Sequence, residues 1–388
     1  MMTYKIPLVK DTIDKQDINS LIEWLSSEPR LTKGSQTKKL EKIWSQWLGV
    51  KNSIYVNSGS SANLLAAYAL LLSGKLKNKK VVVPAVSWVT TVSPFIQFGY
   101  DITMCDCNLE NYGLDVEHLK KIIREENPGV IITVNVLGFS NNYEEIYNLC
   151  KENDIFLIED SCESIGTIYN NKKTGTFGNI STFSFYFGHH LSTIEGGMVC
   201  TDDEDLKNII TSIRSHGWDR DLDEEVQKNL RKQNKIENFK SLYTFYYPGF
   251  NCRSTDLQAF IGIKQMEKAD SVVQKRHQNF LTYNNLVNGR NKVMLKNHQI
   301  ISNFAFPYIS KNIKEIVCDL DKEGIETRPL ICGSIGNQPF WKSRYGKTAL
   351  PNADIVDSLG IYLPNNPSIG ETEIGKICEI LNKQELEK

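Results

Sequence analysis

The stretch Ile155-Phe156-Leu157-Ile158-Glu159-Asp160-Ser161-Cys162-Glu163-Ser164 decides the fold. Four consecutive apolar residues end in two carboxylates and small polar residues. This reads as a strand at 155–159, covered on both faces, that stops at an acidic edge. Working outward, β-branched runs recur at 53–56, 80–84, 102–105, 130–134, 182–185 and 198–201. Helix-like stretches alternate with them, including 64–72 and 202–215. Such alternation predicts an α/β sheet with helices on its faces. Open sheets of this kind bind ligands beyond the carboxyl ends of their strands, which puts Asp160 at a ligand edge.

Beyond the sheet, residues 221–247 are polar and then aromatic, a long excursion that reads as a functional loop. Residues 256–287 predict a long helix, broken once, and the remainder alternates strands and helices as a smaller unit. The expected division is a large domain over 1–255 and a linking helix with a small α+β domain over 256–388. The 388 residues are 40% hydrophobic and 23% charged, ample for a large core. A net charge of −1, from 45 basic and 46 acidic residues, gives no reason to expect nucleic acid as a partner. The opening residues lack a long apolar run and no later segment approaches a membrane span, so a cytoplasmic protein is expected. The nine scattered cysteines then read as reduced thiols.

Three motifs carry chemistry. Asn57-Ser58-Gly59-Ser60-Ser61-Ala62-Asn63 follows a strand and opens a helix, where free backbone N–H groups suit a phosphate; a plain serine N-cap is the alternative. Asp160 could hold a pyridinium nitrogen protonated, or simply cap a helix. The third is Ser184-Phe185-Tyr186-Phe187-Gly188-His189-His190, continuing to Glu195-Gly196-Gly197. On a strand the two histidines would point to opposite faces, and no further ligand set completes a metal site, so no metal is expected.

In this order the motifs resemble the DegT/StrS-type nucleotide-sugar aminotransferases, a branch of the fold-type I pyridoxal-phosphate enzymes. The resemblance covers nearly the whole chain. It includes Leu31-Thr32-Lys33-Gly34 with Glu41, Pro84-Ala85-Val86-Ser87-Trp88, Gly249-Phe250-Asn251-Cys252-Arg253 and Thr327-Arg328-Pro329. It implies a three-layer large domain with a mixed, mostly parallel sheet, a small C-terminal domain, and a homodimer with shared active sites.

One departure sets the expected activity. The family's aminotransferases carry a cofactor-linking lysine five residues after the serine of the SF pair and six before the glutamate of EGG. Both counts give His189, and no lysine lies between Lys173 and Lys207. Histidine cannot make that link, but it moves protons near neutral pH. The exchange resembles the nucleotide-sugar 3-dehydratases, especially the GDP-linked branch. A second, CDP-linked type works with an iron–sulfur cluster and a reductase. A cluster needs about four close thiolates, and from His216 to residue 260 the chain offers only Cys252, so neither is expected.

The resemblance thus implies a lyase that removes the 3-hydroxyl of a nucleotide-linked 4-keto-6-deoxy sugar, with GDP favoured. Pyridoxamine 5′-phosphate would be the working cofactor and pyridoxal 5′-phosphate its spent form. Glutamate would restore the amine and leave as 2-oxoglutarate. Catalytic roles fall to His189, Asp160 and His216. Cofactor contacts fall to Gly59, Ser60, Trp88, Glu163, Ser184 and, from the second subunit, Asn251. Substrate contacts fall to Arg253, Arg328 and Tyr186. A 4-aminotransferase and a non-catalytic cofactor-binding relative remain as alternatives.

Overall fold

The computed structural model describes residues 4–293 and 298–386. Its large sheet has seven strands: β1 (Asn52–Val56), β2 (Lys80–Pro84), β3 (Asp101–Cys105), β4 (Val130–Val134), β5 (Phe156–Asp160), β6 (Ile180–Ser184) and β7 (Gly197–Thr201). They lie in the order β1-β7-β6-β5-β4-β2-β3. Only β7 runs antiparallel to its neighbours, so the sheet is mixed but mostly parallel. The apolar runs are the reason: every residue of β4, β6 and β7 is buried. Each fully buried Val, Leu or Ile there contributes roughly 1.5–3 kcal/mol.

Parallel strands place their carboxyl ends on one edge. Register pairs Val134 with Asp160 and Asp160 with Thr182. The reversed β7 begins where its neighbours end, with Gly197 opposite both Val56 and Ser184. The ends of β1, β5 and β6 and the start of β7 therefore converge.

The helix after β1 spans Gly59–Leu72, five residues earlier than the apolar periodicity predicts. Ser58 is its N-cap, its Oγ accepting from Ser61 N–H at 3.0 Å. That cap outweighs the poor helix propensity of Gly59-Ser60-Ser61. The 221–247 excursion is not all loop: it holds helices Glu224–Gln233 and Asn238–Ser241. The long helix is broken as expected, into Asp256–Met266 and Ala269–Leu286.

The C-terminal part has a three-stranded sheet, with Gly360–Leu363 between Phe306–Ile309 and Arg328–Pro329. The amino-terminal residues join this part: Lys5 and Ile6 donate to the Gly324 carbonyl, and Glu326 N–H donates back to Ile6. One hydrophobic cluster runs from Val83 and Ile132 to Phe306 and Leu363. All nine cysteines are free thiols. Among the described residues no helix is long and apolar enough to cross a membrane.

Candidate active site

A cavity of about 530 Å³ opens at the converging strand ends. Gly59, Ser60, Trp88, Asp160, Glu163, Ser184, Tyr186, His189 and Arg328 all line it. A larger groove of about 980 Å³, lined by Asp154, Gly178 and Asp202 among others, holds none of these residues.

Alternation along β5 separates its two carboxylates. Glu159 accepts backbone N–H groups from Gly175 at 2.7 Å and from Phe177 and Gly178 at 2.5 Å; it anchors a turn. Asp160 enters the cavity wall on the opposite face. Its Oδ2 accepts from Asn63 Nδ2 and Thr91 Oγ1, both at 2.8 Å. Asn63 is held in turn by Thr182 Oγ1, which donates to its Oδ1 at 2.6 Å. This leaves Asp160 fixed in direction, ready to pair with a protonated ring nitrogen.

Gly59 lies against Ser184. A Cβ on Gly59 would sit 2.7 Å from Ser184 Cβ and 3.1 Å from Cys162 Sγ, so only glycine keeps this helix start open. The first-turn N–H groups point out of the helix with its positive dipole end. Ser60 Oγ donates to Thr90 Oγ1 at 3.1 Å. Trp88, the N-cap of helix Val89–Gln97, leaves 56% of its surface exposed over the cavity.

His189 and His190 sit in a turn beyond β6, outside the strand as the sequence reading bounded it. They nevertheless diverge. His190 is fully buried, with Nε2 2.8 Å from the Ser302 carbonyl. His189 lines the cavity beside Phe304, ring centroids 5.2 Å apart. Burial and then the charge of Arg276 push the His189 imidazole down to about 4. It is neutral at physiological pH, the state a proton acceptor needs. Among the described residues no group of three or more His, Cys, Asp or Glu side chains could hold a metal.

Glu163 accepts from Leu137 N–H at 2.7 Å, and burial, reinforced by the nearby Asp160 charge, pushes its carboxyl up to about 8. Arg328 Nη2 donates to Glu326 Oε1 at 2.9 Å. Tyr186 stands at the rim, its ring centroid 6.5 Å from that of His189.

Three expected residues lie outside this chain's own cavity. Asn251 and Arg253 lie on one strip, with Arg253 bridged to Val56 of β1 and Asn251 bridged to Ser215. Asn251 Oδ1 accepts from Arg253 Nε at 3.1 Å. His216, in a left-handed conformation at φ 61°, is held against this strip by its N–H bond to the Phe250 carbonyl. Glu41 also serves the scaffold, accepting from Tyr55 N–H at 2.9 Å and Arg214 Nη1 at 2.7 Å. Sequence reasoning missed Asn63, Thr91, Arg276, Glu326 and Leu8. Asn63 closes the first motif and Thr91 follows Trp88 by one helical turn, so spacing alone could have marked those two.

The parts fit a flat, phosphate-bearing pyridinium ring. The helix start would accept the phosphate, Asp160 would pair with the ring nitrogen, and Trp88 would offer a face. Such a strand-edge site on a mixed α/β sheet is that of an aminotransferase-like enzyme.

The DegT/DnrJ/EryC1/StrS aminotransferase family pattern matches residues 11–382, and the chain belongs to this family. It is 34% identical to a GDP-4-keto-6-deoxy-D-mannose 3-dehydratase of Yersinia pseudotuberculosis, over 97% of this chain and 98% of that one. It is 33% identical to the Escherichia coli O55:H7 protein of the same name, over 97% and 99%. Among solved structures, the E. coli GDP-4-keto-6-deoxy-D-mannose-3-dehydratase with bound hydrated PLP superposes with a TM-score of 0.87 at 31% identity. That match covers 98% of this chain and all of the other. A GDP-4-keto-6-deoxymannose-3-dehydratase with a trapped PLP-glutamate geminal diamine gives 0.85 at 31% identity, over 97% and 100%.

Proposed function

We propose that this chain is a lyase that removes the 3-hydroxyl of GDP-4-keto-6-deoxymannose, or of a heptose analogue. It uses pyridoxamine 5′-phosphate and glutamate, and works in the cytoplasm as a homodimer. The observation that carries this reading is His189: a neutral imidazole lines the cavity where the family's aminotransferases have lysine, among residues that otherwise suit the same cofactor. The 3-dehydratase relatives, similar over almost the whole chain, support the same reaction.

The cofactor supplies an amine that takes up the C4 ketone and an electron-poor ring that accepts the resulting charge. Asp160 keeps the ring nitrogen protonated. Gly59 and Ser60 N–H groups, with the Ser184 hydroxyl, hold the phosphate. Trp88 covers one face of the ring and Glu163 sits beside its 3-hydroxyl. His189 accepts a proton as a base and then gives one to the departing 3-hydroxyl as an acid. Tyr186 and Arg328 contact the substrates.

His216, Asn251 and Arg253 act across the dimer interface, in the second copy's site. An exposed apolar side chain beside this strip favours that arrangement: Phe245, 53% exposed, stacks on Trp218, over whose ring Arg253 also lies. We place the boundary between the cofactor-binding and C-terminal parts at residue 255.

Over one cycle, keto sugar and glutamate yield the 3-deoxy keto sugar, 2-oxoglutarate and ammonia. Assaying purified enzyme for both small products tests this. One ammonia and one 2-oxoglutarate per sugar are expected. 2-Oxoglutarate without ammonia would mean transamination and overturn the proposal.

A further inference from the structure

We infer that Phe304 is the positioning residue for His189: its ring sets the direction of the imidazole in the cavity and keeps water from one of its faces. The inference rests on the dehydratase reading above and adds to it what aims the proton carrier. A histidine base is ordinarily aimed by a hydrogen bond from its second ring nitrogen to a carboxylate or carbonyl. His189 lacks a firm one. Its Nδ1 is buried without a hydrogen-bond partner among the described residues, and the Cys162 backbone is the least of the influences on its charge. Packing must then set its direction.

Of the two aromatic rings beside the imidazole, Phe304 is the nearer. Its centroid lies 5.2 Å away with the planes tilted by 43°, against 6.5 Å for Tyr186. Phe304 is half-buried in the cavity wall, whereas Tyr186 stands exposed at the rim. Tyr362 backs the Phe304 ring from another side, centroids 6.4 Å apart. A flat apolar ring held against an imidazole restricts its rotation and covers that face from water.

The Phe304 backbone is held from separate parts of the chain. Its N–H donates to the Leu137 carbonyl at 3.0 Å, and its own carbonyl accepts from Arg276 Nη1 at 2.9 Å. The neighbouring Asn303 Nδ2 donates to the same Leu137 carbonyl at 2.7 Å. Leu137 stands in the left-handed region at φ 52°, a strained conformation that persists only where the surroundings over-determine it. Its N–H donates to Glu163 Oε2 at 2.7 Å. One strained residue thus ties Glu163 to the ring beside the proton carrier.

The test compares holoenzyme carrying Phe304→Met, which fills similar volume without a flat face, with Phe304→Tyr, which keeps the ring. Both leave the backbone bonds to Leu137 and Arg276 in place. Steady-state assays give kcat and the KM of keto sugar and of glutamate. Magnetic resonance of isotope-labelled histidine follows the protonation of His189, its signal assigned among the six histidines with His189→Asn. The charge bearing on the imidazole is that of Arg276, and its titratable neighbours are Cys162, Tyr186 and His190; neither variant removes any of them. Phe304→Met should lower kcat by roughly 10–100-fold, the cost of a misplaced catalytic group, with both KM values within about threefold of wild type. Its His189 midpoint should rise by about one pH unit toward 6.5 as water reaches the ring. Phe304→Tyr should keep kcat and midpoint near wild type. Melting temperatures identify a misfolded variant, and Phe304→Leu then takes the place of Phe304→Met. Unchanged kcat and midpoint without the ring, a raised KM with unchanged kcat, or an equal loss in Phe304→Tyr would each overturn the inference. Wild-type enzyme that releases no 3-deoxy sugar would overturn the dehydratase reading, and the resonance comparison would still decide whether Phe304 positions His189.

Discussion

Arg276 Nη2 lies 3.5 Å from the carbonyl oxygen of His189. The other oxygens this buried guanidinium faces are also backbone carbonyls: Asn303 at 3.4 Å, Phe304 at 2.9 Å and Asn365 at 2.7 Å. Its charge thus stands behind the His189 turn and opposes protonation of the imidazole, adding to the effect of burial. From an ordinary 6.5 the ring is pushed down to about 4. The pH profile of kcat/KM should therefore show no acid limb at the ordinary histidine value. Arg276→Met should bring a limb up toward it, while Arg276→Lys should not. A wild-type limb near 6.5 would contradict the arrangement.

The two histidines should separate cleanly. His189→Asn keeps polarity and approximate size but removes the proton carrier, so dehydration should fall by roughly two to four orders of magnitude. Cofactor binding should survive. His190→Asn should act mainly on stability, by about 1–3 kcal/mol for a disturbed buried hydrogen bond, measured by denaturant unfolding. Equal loss of activity in both variants would show that the wrong ring was assigned the chemistry.

The site was legible where function sits at the end of a strand. Asp160, Ser184 and Gly59 each follow or end an apolar run, and sheet geometry carries them to one edge. What aims them was not legible. Asn63 and Thr91 reach Asp160 from two separate helices. Arg276 lies on a helix 87 positions from His189, and Glu326 meets Leu8 across 318. No local pattern encodes such contacts, because they follow from packing. The helix Glu224–Gln233 escaped notice for a different reason: none of its residues is buried, so it shows no core-facing stripe.

Glu163 should leave a mark on stability. Burial raises its carboxyl from 4.5 to about 8 in the folded chain. A raised folded value gives stability that is complete below 4.5 and is lost as pH rises through about 8. Glu163→Gln is neutral throughout. The melting temperature of the cofactor-free variant, relative to wild type, should therefore climb with pH across this window. A constant difference would mean that Glu163 is ionised in the folded protein.

The shared-site arrangement can be tested by complementation. His189→Asn and Asn251→Asp chains, each inactive alone, should form mixed dimers with one doubly lesioned site and one intact site. Activity should return to about half that of the wild-type dimer by symmetry. Verified mixed dimers without activity would show that each subunit completes its own site.

The central claim is that His189 converts an aminotransferase scaffold into a deoxygenating one. It is tested most directly by the mass of the sugar product formed from GDP-4-keto-6-deoxymannose and glutamate. The account predicts a product one oxygen atom lighter than the substrate, containing no added nitrogen, and absent with His189→Asn. A product that keeps its 3-hydroxyl and gains an amino group at C4 would contradict it.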